Sequence, residues 1–364
     1  MKKLPVVAFF LALVLWLTGC QAITFSIDDL LSAPNVADEQ TAIYQALIES
    51  TGRGIALEYP RSGDYRSAFI LYDIDGDGED ETLALYSVNS LTDSNVKVSV
   101  LDRLGGGSWV SQYELAGAGS SVEKVMFSGT DIVIGYSAQD YEENAVRMYR
   151  YSNGILEPIY EGTYSVLDMA DTDGCGSDEI TVVRRSGLGV EVEMLKTEPN
   201  GSYTSYGLQL EESAAAISGS VFGDYFGRKA MYLDIANDSG ALLTEVIYLN
   251  GSEIVCPTAS AGLSLFTQRP AGYSSIDYDG DGIVEIPYLT PFIGYESAPW
   301  GEGEYSTSWL LLSEDGSSLD TKSMSYTNLR DGYILTLPSR WQNMVTVSKD
   351  QGTGEVIFLS LIHI

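Results

Sequence analysis

Three short acidic stretches hold the residues best suited to chemistry. In the first, Asp73, Asp75 and Asp77 occupy positions 1, 3 and 5 of a loop, Gly78 position 6 and Glu81 position 9. Alternate carboxylates on a tight turn can converge on one point, and a hard cation such as Ca²⁺ takes 6–8 oxygen ligands. The pattern recurs in full as Asp277, Asp279, Asp281, Gly282 and Glu285. It also recurs as Asp171, Asp173, Cys175, Gly176 and Glu179, with a thiol in place of the third carboxylate. A thiol is a poor ligand for a hard ion, so the second loop is expected to hold Ca²⁺ less well than the others. An EF-hand would place a bidentate Glu at position 12 and helices on both sides. Here position 12 is Ala84, Val182 or Tyr288, and the flanks are β-forming runs such as Phe69-Ile-Leu-Tyr72.

These loops need strands to hold them. Between the acidic copies, Gly129 and Gly227 each sit between apolar runs, so Gly78, Gly129, Gly176, Gly227 and Gly282 recur about fifty residues apart. The two intervening copies lack the acids and are expected to bind no metal. A second series follows roughly 25 residues behind: Gly106, Asn153-Gly154, Asn200-Gly201, Asn250-Gly251 and Asp315-Gly316, residue pairs suited to tight hairpins. Alternating strands such as Val190-Glu-Val-Glu-Met-Leu195 run between the two series. Each unit therefore reads as four short strands. The expected fold is all-β, a β-propeller of about five four-stranded blades across 64–328, preceded by one short helix. Asp38 to Thr51 supplies that helix, with Ile43/Leu47 and Tyr44/Ile48 at i,i+4 and Gly52 to stop it. It belongs to a segment 38–63 that ends in a leading strand, and 329–364 reads as the start of a further small β unit. Residues 358–364 have the look of an artefactual end.

Residues 1–19 read as a leader: Lys2-Lys3, then an apolar run from Leu4 to Leu17 too short for a comfortable span. Leu17-Thr-Gly-Cys20 resembles the lipobox of bacterial lipoproteins. That resemblance implies cleavage before Cys20, lipid on its thiol, a tether over 20–37 and an extracytoplasmic, membrane-anchored chain. The whole sequence carries a formal charge of −31, and without the two leader lysines −33. Such a charge excludes a nucleic-acid partner on electrostatic grounds and suits divalent cations. His363 is the single histidine, which removes Ser-His-Asp triads and His-ligated zinc from consideration.

The D-x-D-x-D-G-x-x-acid loop between strands, at this period, resembles the FG-GAP/VCBS-type repeats of integrin α-subunit propellers and of bacterial surface proteins. With the lipobox and the stretch YPRSGDYRSAFILYDIDGDGEDE, the chain from about 20 to 328 is similar to repeat-bearing lipoproteins of clostridia-like bacteria. The resemblance implies calcium loops on propeller blades and leaves the ligand open.

The fifth unit is longer than the others through an insertion in 294–309. There Tyr295, Trp300, Glu302, Glu304 and Tyr305 gather aromatic and acidic groups suited to a sugar ring or a peptide, though the favoured expectation is a loop that covers the propeller edge with Trp300 and Tyr305 as its own small core. The leading expectation is a non-catalytic, calcium-braced binding or adhesion module for protein or glycan. The alternatives are a carboxylate-dependent glycoside hydrolase on the same scaffold and an envelope-assembly scaffold. Against an enzyme, the recognisable acidic clusters all fall in calcium or solvent loops such as that of Asp140, Glu142 and Glu143, and no acid stands out within an apolar strand.

Overall fold

The computed structural model describes residues 38–361, apart from 53, 89–95, 105–106, 138–142, 153, 188, 211–215, 300–301 and 351. The leader, Cys20 and its tether, Gly106, Asn153, the Asp140/Glu142 part of the solvent cluster, Trp300 and residues 362–364 lie outside the described residues.

Helix α1 spans Asp38–Thr51, and the Gly52 amide donates to the Ile48 carbonyl at 2.9 Å to end it. Everything after it is organised as antiparallel sheets in chain order. The first contains β1 (Ile55–Leu57), β2 (Phe69–Tyr72), β3 (Glu81–Val88), β4 (Lys97–Leu104) and β5 (Ser108–Ala116). The second contains β6 (Ser121–Ser128), β7 (Asp131–Ser137), β8 (Asn144–Ser152) and β9 (Ile155–Tyr164). The third runs β10 (Val166–Ala170), β11 (Glu179–Ser186), β12 (Gly189–Thr197) and β13 (Tyr203–Leu210). The fourth runs β14 (Ala216–Tyr225), β15 (Arg228–Ala236), β16 (Leu242–Asn250) and β17 (Glu253–Val255). After the short helix α2 (Pro257–Ser260), the fifth runs β18 (Ile286–Pro291), β19 (Tyr305–Leu312), β20 (Leu319–Asn328) and β21 (Tyr333–Leu337). A two-stranded sheet, β22 (Val345–Lys349) with β23 (Val356–Ser360), follows. Thus β21 continues the fifth sheet, while β22 and β23 pair in a small sheet of their own.

Interior strands are apolar on both faces, as in Leu83-Ala-Leu-Tyr86 and Ile132-Val-Ile134, because each sheet is packed on two sides. Leu83 and Leu85 meet Val122, Val125 and Ile134 of the second sheet, whereas Ala84 and Tyr86 point the other way, to Ile43 and Leu47 of α1. Further clusters join the second sheet to the third, the third to the fourth and the fourth to the fifth. A last one joins the fifth to β22–β23 through Phe292, Tyr326, Leu337 and Val347. The sheets are therefore linked in series, and among the described residues no apolar cluster ties the fifth back to the first. Fourth strands β5 and β13 alternate exposed and covered residues, as edge strands with one wet face do.

Candidate functional site

Both glycine series fall where strands turn. The first acidic loop joins β2 to β3, the Gly129 turn β6 to β7, the second acidic loop β10 to β11 and the Gly227 turn β14 to β15; the third acidic loop leads into β18 through a bridge between Ile276 and Glu285. The loop-end glycines Gly78, Gly176 and Gly282 have φ of +92°, +89° and +89°, where a side chain would be strained. These turns stand beside one another. The Tyr72 hydroxyl donates to the Gly129 carbonyl at 2.9 Å, the Lys229 amide to the Asp171 carbonyl at 2.8 Å, and the Asp224 amide to the Gly282 carbonyl at 2.7 Å.

One device closes all three acidic loops. Glu81 opens β3, Glu179 opens β11 and Glu285 stands just before β18. They pair in register with Tyr72, Ala170 and Ile276 and are at most 1% exposed. Each turns one oxygen back to the loop amide at position 2: Ile74 at 2.9 Å, Thr172 at 2.8 Å and Tyr278 at 3.2 Å. The first Asp caps the turn: Asp73 accepts the amides of Gly76 (2.7 Å) and Gly78 (3.0 Å), and Asp277 those of Gly280 (2.7 Å) and Gly282 (2.8 Å). Asp77 and Asp281 bond the amides of Glu79 and Ile283, at 2.8 and 2.9 Å. In each loop three groups bring a ligand atom within 4.8 Å of one another: Asp73, Asp75 and Glu81; Asp171, Asp173 and Cys175; Asp277, Asp279 and Glu285.

Surrounding charge separates the loops, and the sequence reading missed this. In the third, the Lys322 ammonium, from β20, lies 2.6 Å from Glu285, 2.6 Å from Asp281 and 2.9 Å from Asp279. In the second, Lys196 on β12 bonds Asp173. One step beyond the Ile180↔Leu195 pair, it stands opposite Glu179. The same step beyond Thr82↔Leu101 in the first sheet brings Asp102 opposite Glu81. Burial, followed by the charges of Asp75, Asp102 and Asp77, pushes the Glu81 carboxyl up to about 7. Lysine and its loop are far apart in the chain, so only strand register could have revealed the pairing.

The inserted segment serves largely as a joint. Tyr305 is buried in β19, and Tyr295 packs beside Phe292 and Tyr326. Glu304 accepts the Tyr326 hydroxyl at 2.7 Å and the Lys349 ammonium at 3.1 Å, clasping β22 to the fifth sheet. Glu302 is exposed. One acid, Glu245, is embedded in an apolar strand. It lies in β16 with no exposed surface, and its Oε2 accepts the Cys256 thiol at 3.1 Å and the Thr258 hydroxyl. It is fully enclosed, and burial together with its charge pushes the Cys256 thiol up.

A cavity of about 430 Å³ lies among the leading strands of the first three sheets. Its aromatic wall is Tyr65, Tyr72 and Phe127. Tyr72 and Phe127 stack at 3.8 Å between centroids, and Tyr65 stands edge-on to Phe127 at 4.9 Å. Asp64, Asp168 and Asp178 also line it, with Lys124 bound to Asp168 at 3.1 Å and to the Leu167 carbonyl at 3.0 Å. The segment before β2 is fixed as part of the wall, since the Ser62 amide donates to the Glu123 carbonyl at 2.7 Å. Gly63, at φ +82°, passes so close that a Cβ would stand 3.0 Å from Lys124 Cγ. The sequence hid this cavity because its residues come from five separate stretches, with only Tyr72 beside and Asp178 within an acidic loop.

No protein-family model matches the chain, and no curated protein matches it in sequence. Among solved structures it is similar to an exo-type rhamnogalacturonan lyase, at 12% identity over 85% of this chain and 64% of that one, TM-score 0.28. A rhamnogalacturonan lyase from Bacillus licheniformis matches at 14% identity over 84% and 62%, TM-score 0.26. An exo-β-1,3-galactanase from Phanerochaete chrysosporium matches at 11% over 83% and 69%, TM-score 0.25. The chain thus spans less than two thirds of the length of the two lyases. All three are named as carbohydrate-active enzymes; the expectation of a non-catalytic adhesion module finds no counterpart among them and is not carried further.

Proposed function

We propose that the chain is a glycan-processing protein whose reaction centre is the cavity of Tyr65, Tyr72, Phe127, Asp64, Asp168 and Asp178. The observation that carries this reading is one cavity combining an aromatic wall with three carboxylates. Aromatic groups bind the apolar faces of sugar rings while leaving the hydroxyls to polar partners. Glycosidic cleavage asks for two carboxyl groups, one to protonate the leaving oxygen and one to activate water or attack the sugar. Lys124 fixes the orientation of Asp168, while Asp64 and Asp178 are exposed at the same cavity.

The sheets are read as FG-GAP/VCBS-type blades, a proposal supported by the adjoining first-strand turns. Ca²⁺ is assigned to the first loop. Its all-oxygen group of Asp73, Asp75 and Glu81, with Asp77 on the same loop and Asp102 behind it, suits a hard divalent ion. When bound there, the ion would brace the turn directly after Tyr72. The lipobox supports anchoring at Cys20 outside the cytoplasm.

The test is hydrolysis of a polysaccharide panel, followed by new reducing ends. Asp168→Asn should lower kcat by about 10²–10⁴-fold, and Tyr72→Ala should chiefly raise KM. Unchanged turnover by an Asp64→Asn, Asp168→Asn, Asp178→Asn triple variant, or no turnover and no glycan binding by the wild type, would overturn it.

A further inference from the structure

The second acidic loop departs from the others in its donors and in what is left unmatched around them. Cys175 stands where the first and third loops have Asp77 and Asp281, and its thiol is exposed. Asp171, Asp173 and Cys175 each bring a ligand atom within 4.8 Å of the others. Beneath them, Glu179 is 1% exposed, with Oε2 held by the Thr172 amide at 2.8 Å and hydroxyl at 2.6 Å. Its other oxygen, Oε1, is buried without a hydrogen-bond partner, and so is Asp171 Oδ1. In the third loop the corresponding Glu285 Oε1 is met by Lys322 at 2.6 Å. Lys196, by contrast, is bonded to Asp173 and donates to neither orphaned oxygen, although its charge acts on Glu179. A buried anionic oxygen with no partner is costly, and a cation among these groups removes that cost.

We infer that this loop is a site for a thiophilic divalent cation of the Zn²⁺ class, held by Cys175, Asp171, Asp173 and Glu179. One sulfur with carboxylate oxygens is a donor set that Zn²⁺ accepts, at about 2.3 Å to sulfur and 2.0–2.2 Å to oxygen. Ca²⁺ takes oxygen alone. The exposed thiol gives an entry path, and on binding it passes its proton to solvent as the metal–sulfur bond forms.

Co²⁺ and Cd²⁺ report thiolate ligation directly, through sulfur-to-metal charge-transfer absorption in the near ultraviolet. The full chain is titrated with each ion under reducing conditions, in a Cys20→Ser background so that Cys175 is the one exposed thiol tested. The band should form in that protein and in its Cys256→Ser variant, be absent in Cys175→Ser, and be displaced by Zn²⁺. A hundredfold excess of Ca²⁺ should leave it in place. Glu179→Gln should weaken binding about tenfold or more while keeping the band. A band that survives Cys175→Ser, never forms, or yields to equimolar Ca²⁺ overturns the assignment. Glu179→Gln binding as tightly as the parent would remove Glu179 from the site.

Discussion

Replacing Lys322 by Met gives the sharpest test of how the third loop is held together. Three carboxylates surround its ammonium: Glu285 at 2.6 Å with no exposed surface, Asp281 at 2.6 Å and Asp279 at 2.9 Å, the last two partly exposed. Burial acts to lower the ammonium pKa, but hydrogen bonds to Asp281, Glu285 and Asp279 outweigh it and hold the group well above the usual lysine range. Removing one partner of a buried pair typically costs about 3–5 kcal/mol, because the other charge is left alone. The two exposed carboxylates add at most about 1 kcal/mol each. A loss of about 3–7 kcal/mol is therefore expected in EDTA. A divalent ion can take the place of the ammonium in the variant, and at a hundredfold excess over Kd it restores about 2.7 kcal/mol. Sheets linked in series need not unfold together, so the readout should be local. Native-state hydrogen exchange of the amides of 276–286 supplies it, with Trp309, stacked on Tyr278 at 4.8 Å, as a fluorescent companion. Equal protection of wild type and variant in EDTA would refute the reasoning.

Asp315 accepts the hydroxyls of Ser313 and Ser317 and the Ser317 amide, which lower its carboxyl from an ordinary 3.8 to about 2. Its contribution to stability is present above pH 3.8 and disappears as pH falls through 2. Carboxyl NMR should place the midpoint near 2, and Ser313→Ala should move it upward. Arg269 is fully buried, with Asp234 at 2.7 Å and Thr244 Oγ1 at 2.8 Å, so Arg269→Met should cost about 3–5 kcal/mol. Adding Asp234→Asn should recover part of that loss, and an unchanged melt for the single variant would exclude a structural role. Leu47→Ala should cost about 2–5 kcal/mol in the packing of α1. Exchange should rise in α1 and the first sheet, leaving the fourth and fifth as they were; a uniform rise would contradict the serial packing.

The all-β architecture was legible because its signals are local. Glycines that must take positive φ mark both turn series, and Ile43 and Leu47 mark the buried stripe of α1. The alternation visible in β13 could likewise be read directly. What escaped depends on register between strands. Nothing near Lys322 announces that it will sit on Glu285, and nothing near Asp102 that it faces Glu81. Glu245 escaped because its partners, Cys256 and Thr258, belong to β17's far end and to α2. Local composition left Glu304 and Tyr305 open to a binding or a structural reading: in the structure one clasps Lys349 and the other is buried. The cavity residues Asp64, Lys124 and Asp168 carry no shared motif, since three strand systems meet to bring them together.

The serial linkage of the sheets also determines how the molecule would bear tension. Force applied between the two ends passes through one sheet after another, because no apolar cluster of the described residues clasps the first to the fifth in parallel. The weakest junction gives way alone while its neighbours hold. Each repeat of about fifty residues then releases on the order of 160 Å of slack at ~3.3 Å per residue. Single-molecule stretching should record a train of separate yielding steps.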